Sequence, residues 1–198
     1  LWENPMGTAG FEFVEFSTPK PEELENLFTT LGFTHIANHK SKKVKLFRQG
    51  NINFILNSHP GSYAEGFHKK HGPSACALGF RVECALEAYK KAVSMNARPH
   101  SSNPGFMELN LPAVEGVGGA LLFFINIYGD KSIYQIDFDL LPGVDIEQNS
   151  AGLHTIDHVT HNVHKGGMDR WAHFYENLFN FKETRYFDIK GSFTGLYS

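Results

Sequence analysis

An excess of positive charge is missing from this chain. Its 198 residues carry 18 Lys and Arg against 21 Asp and Glu, a formal net charge of −3. That balance argues against nucleic acid or an anionic membrane as partner. Cysteine is also scarce, with only Cys76 and Cys84. Two cysteines build no disulfide framework, so the expected setting is a reducing cytoplasm. Long apolar runs are absent. The longest, Ala120 to Ile125, falls far short of the ~20 residues a membrane-spanning helix needs. Leu1 to Gly7 has no basic region followed by an apolar one, so no signal peptide is expected. Neither a G-x-S-x-G elbow, a P-loop nor a paired-carboxylate signature occurs.

Phenylalanine, by contrast, is abundant, at 18 residues. The plain reading is an aromatic-rich core; the sharper one is an aromatic lining around a planar ligand. Hydrophobic residues make up 41% and charged residues 20% of the chain, which places it among ordinary globular proteins.

The order of elements repeats. Phe11 to Phe16 alternates as a strand. Ser17 to Glu23 reads as a helix start, with capping hydroxyls, proline in the first turn and acids near the positive end. Leu24, Leu27, Phe28 and Leu31 form one apolar face, and Gly32 suits the stop. Strands are expected at Phe33–Ala37, Val44–Arg48 and Ile52–Leu56, with Gln49 to Asn51 as a tight turn. This is a β-α-β-β-β unit. A loop from Asn57 to Ser74 holds His68 and His71, read as solvated surface beside Lys69 and Lys70.

The order then recurs. Cys76–Val82 is a strand, and Leu86, Tyr89 and Val93 mark a helix face. Further strands fall near Ala97–His100, Met107–Leu111 and Ala120–Ile127. Gly116, Gly118 and Gly119 precede a strand rather than a helix, which disfavours phosphate binding there. Cys76 and Cys84 read as buried small hydrophobes. Gly129 to Gly152 reads as a crossover linker, with Ile133, Ile136 and Phe138 packed on the body.

A third unit begins at Leu153. A strand is expected over Leu153–Val163. A helix follows over Met168–Phe179, with Met168, Trp171, Ala172, Tyr175, Leu178 and Phe179 on one face. Phe181–Asp188 and a strand near Phe193–Tyr197 complete the chain. No closing strand follows, so the expectation is a fragment, or a partial copy, of a longer protein built from four such units. The expected organisation is a metal-free barrel of two units over residues 1–128, a linker over 129–152, and the truncated start of a catalytic barrel over 153–198. The fold class is α+β.

Histidines crowd the third unit: His154, His158, His161 and His164. In a regular strand His154 and His158 share a face about 13 Å apart, and His161 faces the other way. No two can clamp one metal, so a metal site must draw ligands from distant sequence. A lone strand histidine is most often structural. Here, though, Phe13 occupies the matching position of the first unit. One copy could bind metal and the other could not.

Several motifs together resemble the bacterial 4-hydroxyphenylpyruvate dioxygenase family. They are Gly7-Thr-Ala-Gly-Phe-Glu-Phe13, Met107-Glu-Leu-Asn-Leu-Pro112, Gly116-Val-Gly-Gly119, Ile156-Asp-His-Val-Thr-His-Asn-Val163, Trp171 to Phe181, and Tyr186-Phe-Asp-Ile-Lys-Gly191. The resemblance covers nearly the whole chain. It implies a vicinal-oxygen-chelate, glyoxalase-like fold of repeated β-α-β-β-β units closed into a barrel. It also implies Fe(II) held by two histidines and a glutamate, a facial triad with open positions. His158 matches the first ligand; the other two lie beyond Ser198. Ser198 itself matches a serine at the edge of the substrate pocket.

The implied reaction takes 4-hydroxyphenylpyruvate and O2 to homogentisate and CO2, in tyrosine and phenylalanine catabolism, by a cytoplasmic homo-oligomer. The isolated fragment is expected to be inactive. Two alternatives stand beside this one. The first is 4-hydroxymandelate synthase, which shares substrate and iron site. The second is a non-catalytic vicinal-oxygen-chelate binding module of the kind sometimes labelled haemolysin-like.

Overall fold

Strand β1 (Thr8–Ser17) is the spine of the molecule. In the computed structural model, which describes residues 3–102, 104–105, 107–145, 150–185, 187–190 and 195–197, β1 is paired on both sides. Helix α1 (Pro21–Thr30) follows, then β2 (Thr34–His39), β3 (Val44–Gln49) and β4 (Ile52–Asn57). Strand β4 returns parallel to β1, with Val14 opposite Phe54. The second unit repeats this pattern with β5 (Ser74–Val82), α3 (Ala85–Ser94), β6 (Pro99–His100), β7 (Ala113–Glu115) and β8 (Leu121–Ile125). Here β8 returns parallel to β5. The two units join antiparallel through β1 and β5.

The resulting strand order is β6-β7-β8-β5-β1-β4-β3-β2-β9, a nine-stranded sheet. Its two ends, β6 and β9, do not pair with each other. The expected barrel is therefore an open sheet rather than a closed one. Strand β9 (Phe138–Leu140) runs antiparallel to β2. It comes from the stretch read as a linker, together with α4 (Ile133–Asp137), whose Ile133 and Tyr134 are buried. Ile136, expected to pack, is exposed.

Local chemistry explains the ends of helix α1. Helix α1 has Pro21 at its start and Glu22 and Glu23 in its first turn, but Lys20 is its N-cap and makes no side-chain cap. The expected hydroxyl cap is absent because the Thr18 hydroxyl accepts from the Lys20 N–H instead. Gly32, at φ +87°, closes the other end: Phe33 N–H donates to Phe28 O and Gly32 N–H to Thr29 O. This is the Schellman arrangement, which favours glycine.

Several expected segments differ. The loop from Asn57 to Ser74 contains helix α2 (Tyr63–His71), capped by Ser62, whose hydroxyl accepts from Glu65 N–H. No strand forms over Met107–Leu111. Met107 sits at φ +63°, and the Leu109 N–H turns away to Asp137 Oδ1 at 3.1 Å. Helix α3 buries Ala85, Ala88 and Ala92, whereas Leu86 is 54% exposed. Small side chains let α3 approach the sheet closely, so Leu86 and Val93 face outward, while Tyr89 packs against the core as expected.

Helix α5 (Met168–Phe179) forms where its periodicity placed it. It buries Leu178 and Phe179 into the core cluster that holds Phe80, Val114 and Phe124. Strands β10 (Asp188–Lys190) and β11 (Gly195–Tyr197) pair antiparallel as a separate two-stranded sheet. The expected strand over Leu153–Val163 does not form.

Candidate functional site: the histidine segment and its cavity

Phe13 and His158 match in sequence but occupy opposite environments. Phe13 is 2% exposed and packs with Ile36, Leu46, Ile55, Ile125 and Tyr134. Its partner across the ladder is Gly79. A Cβ there would lie 2.6 Å from the Phe13 ring, so glycine makes the room the ring occupies. Among the described residues the segment around His158 has no ladder partner on either side. A strand without a neighbour leaves its N–H and C=O groups to water and gains nothing from extension. The alternation argument that separated His161 from His158 therefore does not apply to this conformation.

The segment is nonetheless held at its start. Gln49, fully buried at the end of β3, accepts from Ala151 N–H at 2.6 Å, Leu153 N–H at 3.2 Å and the Ser150 hydroxyl at 3.3 Å. Its own amide donates to Leu31 O at 3.0 Å. Two residues on, Asn51 N–H donates to His154 O at 2.9 Å. Between them Gly50 has φ +53°, and a Cβ there would meet Leu153 O at 2.6 Å. The tight turn does more than join two strands: it is the seat on which the segment lands. A buried glutamine at a hairpin turn was the visible signal.

Beyond that seat the segment roofs a cavity of about 760 Å³. The floor is apolar, with Phe16, Phe33 and Phe54 among its residues; Phe33 and Phe54 stack at 4.3 Å between centroids. Ile156 packs against this aromatic cluster. Asp157, His158, Thr160, His161 and Asn162 bring polar groups to the same cavity. Phe67 and His71 of α2 line it too, and His71 Nε2 lies 2.9 Å from Gly118 O. His68 Nδ1 lies 2.7 Å from the buried Ser17 hydroxyl. His71 is exposed as expected, whereas His68 is half-buried against Ser17 rather than solvated.

The His158 side chain is solvent-facing, with Nδ1 2.6 Å from Asp157 Oδ2. An ionised carboxylate only accepts, so Nδ1 donates in this contact, and in a neutral imidazole the lone pair then lies on Nε2. That is the state in which an imidazole binds a metal, and a carboxylate behind it is the usual orienting group. The ring of His161 lies 5.7 Å from that of Tyr175, and desolvation lowers its pKa, which keeps it neutral. His154 is exposed beside Gly50. Among the described residues no three His, Cys, Asp or Glu side chains converge as a metal site. His158 thus fits a single ligand position, and the residues present do not complete a metal site. Cys76 is buried and Cys84 exposed, so only the first behaves as the hydrophobe expected. Ser198 lies outside the described residues.

A family model described as hydroxyphenylpyruvate dioxygenase, N-terminal, matches residues 2–139. The 4-hydroxyphenylpyruvate dioxygenase of Pseudomonas sp. (strain P.J. 874) is 55% identical, covering 100% of this chain and 56% of the relative. That of Pseudomonas aeruginosa is 51% identical, covering 98% of this chain and 56% of the relative. The chain therefore spans little more than half the length of the curated relatives it matches. A solved xylose isomerase-like TIM barrel/4-hydroxyphenylpyruvate dioxygenase fusion protein superposes with a TM-score of 0.80 at 34% identity, covering 96% of this chain and 30% of that one. The fold is the vicinal-oxygen-chelate fold, with its sheet open.

Proposed function

The chain belongs to the hydroxyphenylpyruvate dioxygenase family, and we propose that it is the N-terminal part of a non-haem Fe(II) dioxygenase converting 4-hydroxyphenylpyruvate and O2 to homogentisate and CO2. The observation that carries this reading is the 55% identity along the whole chain to an enzyme of that name. In this reading residues 1–128 are a metal-free domain, 129–152 connect it, and 153–198 open the catalytic domain. His158 supplies one imidazole to iron, oriented by Asp157, and Ser198 borders the substrate. The remaining ligands come from length beyond this chain. Bound iron would supply the activation of dioxygen; the residues here offer it one donor and carry no step on their own. The 198-residue chain alone is expected to be inactive. The reading extends to tyrosine and phenylalanine catabolism by a cytoplasmic homo-oligomer. No helix among the described residues is long and apolar enough to cross a membrane.

The test is made in the longer protein. His158→Ala abolishes iron binding, measured by elemental analysis, and abolishes substrate-dependent O2 uptake. His161→Ala keeps iron stoichiometry near that of the parent. If the His158 variant keeps its iron while the His161 variant loses it, the ligand assignment fails.

A further inference from the structure

A second cavity, of about 350 Å³, lies against a buried polar relay in the N-terminal sheet. Its walls include Glu12, Arg48, Asn53, Arg81, Ser132 and Tyr134. The relay is continuous. Arg48 Nε donates to Asn53 Oδ1 at 2.7 Å, Asn53 Nδ2 donates to Glu12 O at 2.9 Å, and Arg81 Nε donates to Glu12 Oε2 at 2.6 Å. Each guanidinium also lies over an aromatic ring: Arg48 over Tyr134 at 5.3 Å and Arg81 over Tyr128 at 5.6 Å.

The charges do not balance. The Glu12 side chain is 3% exposed and faces Arg81. Among the described residues no carboxylate comes within ion-pair distance of Arg48, and burial lowers its pKa. The Glu12 charge acts on Arg48 only at longer range and opposes that shift, so one carboxylate serves two partly buried guanidinium groups, and a partly buried cation short of counter-charge is costly. Both arginines spend Nε on the relay, which leaves their terminal N–H groups without a hydrogen-bond partner among the described residues. Two stacked forks with free donors beside a small cavity match the geometry that binds a carboxylate. Two guanidinium groups against one carboxylate leave room for one negative charge.

We propose that this cavity is a binding site for a small organic monocarboxylate, separate from the His158 segment and independent of the dioxygenase reading. Asn51, Ser132 and Gln135 add polar groups at the wall, and Leu140 an apolar one. The volume lies near the lower end for ligand pockets, which suits a single-ring acid.

The probe is benzoate, with benzamide as its uncharged counterpart and sodium chloride as the ionic-strength control. Calorimetric titration of the unmodified 198-residue chain is expected to give saturable one-to-one binding of benzoate. Benzamide is expected to bind at least tenfold more weakly. Arg48→Gln is expected to weaken benzoate at least tenfold, and Arg48→Lys, which keeps the charge but loses the fork, by less. No binding to the unmodified chain, equal binding of benzamide, or a signal reproduced by salt alone overturns the proposal. The unmodified chain decides this even if a variant does not fold. Binding that vanishes in the longer protein also overturns it, because the carboxylate there belongs to the rest of that chain.

Discussion

Strand β1 and the segment from Leu153 to Val163 are two copies of one sequence pattern with opposite fates. Strand β1 has neighbours on both edges and sinks Phe13 into the core. The later copy has neither neighbour, keeps His158 in solvent, and rests on a turn of the first unit by side-chain and backbone hydrogen bonds. Strand character is thus a property of the partners as much as of the residues. The difference also separates two environments: Phe13 is packed inside a module, while His158 is left in solvent with a nitrogen to offer.

The largest expected effect tests the first half of that contrast. Phe13→Ala empties a site closed by Gly79 and Phe123, the latter ring 5.8 Å away. It should cost about 3–5 kcal/mol in urea unfolding. Val159→Ala in the later copy, where the side chain is half-exposed, should change stability by less than about 0.5 kcal/mol. Equal losses would mean that the later segment is as integral as β1.

The next effect concerns the seat. Gln49→Ala removes the acceptor of two backbone N–H groups and the Ser150 hydroxyl and leaves Leu31 O without its donor. Unpaired groups of this kind cost about 1–3 kcal/mol where they remain buried. The loss should be local: faster hydrogen exchange at Ala151 and Leu153, with the Phe13 amide still protected. Gly50→Ala should release the same residues by steric contact with Leu153 O. Uniform loss of protection across the sheet would show that seat and sheet unfold as one unit.

Much of this was legible beforehand, and the failures are instructive. The repeated β-α-β-β-β order, the Gly32 stop and the whole of α5 follow from local periodicity and turn chemistry. Helix α2 carried its own signal, Ser62 followed by Glu65, but the surrounding Gly, Pro and His residues masked it. Of the expected α3 face only Tyr89 packs on the core, and Leu86 and Val93 point outward because close packing selected alanine there. Closure of the barrel was not legible, since it depends on whether β6 and β9 meet, which no local pattern encodes. At the candidate site, the motif singles out His158 as the expected ligand. The Gln49 clamp and the cavity beneath the segment depend on contacts across more than a hundred positions.

A smaller effect probes the loop that replaces the expected strand near Met107. Burial opposes ionisation of Glu108, but hydrogen bonds from Lys42, Ser41 and the Gly105 N–H outweigh it and hold its pKa at about 2, below the ordinary 4.5. A depressed carboxylate stabilises the fold fully above its ordinary value, and that contribution is lost as pH falls toward about 2. Thermal unfolding followed from pH 5 down to pH 2 should therefore show a steeper acid limb for the parent than for Glu108→Gln. Identical limbs would remove Glu108 from the account of acid sensitivity.

The smallest expected effect is the most telling for the comparison. His158→Ala should leave the unfolding free energy of this chain within about 0.5 kcal/mol of the parent, because its side chain is 75% exposed and touches only Asp157 by hydrogen bond. The Asp157 carboxylate, 92% exposed, returns to water at little cost. A residue that is costless to remove yet stands where its counterpart is buried is not there to support the fold. Loss of stability comparable to that of Phe13→Ala would sink this distinction: the imidazole would then be a packing element, and its free nitrogen incidental. Unchanged stability here, alongside lost iron in the longer protein, would assign the residue to chemistry alone.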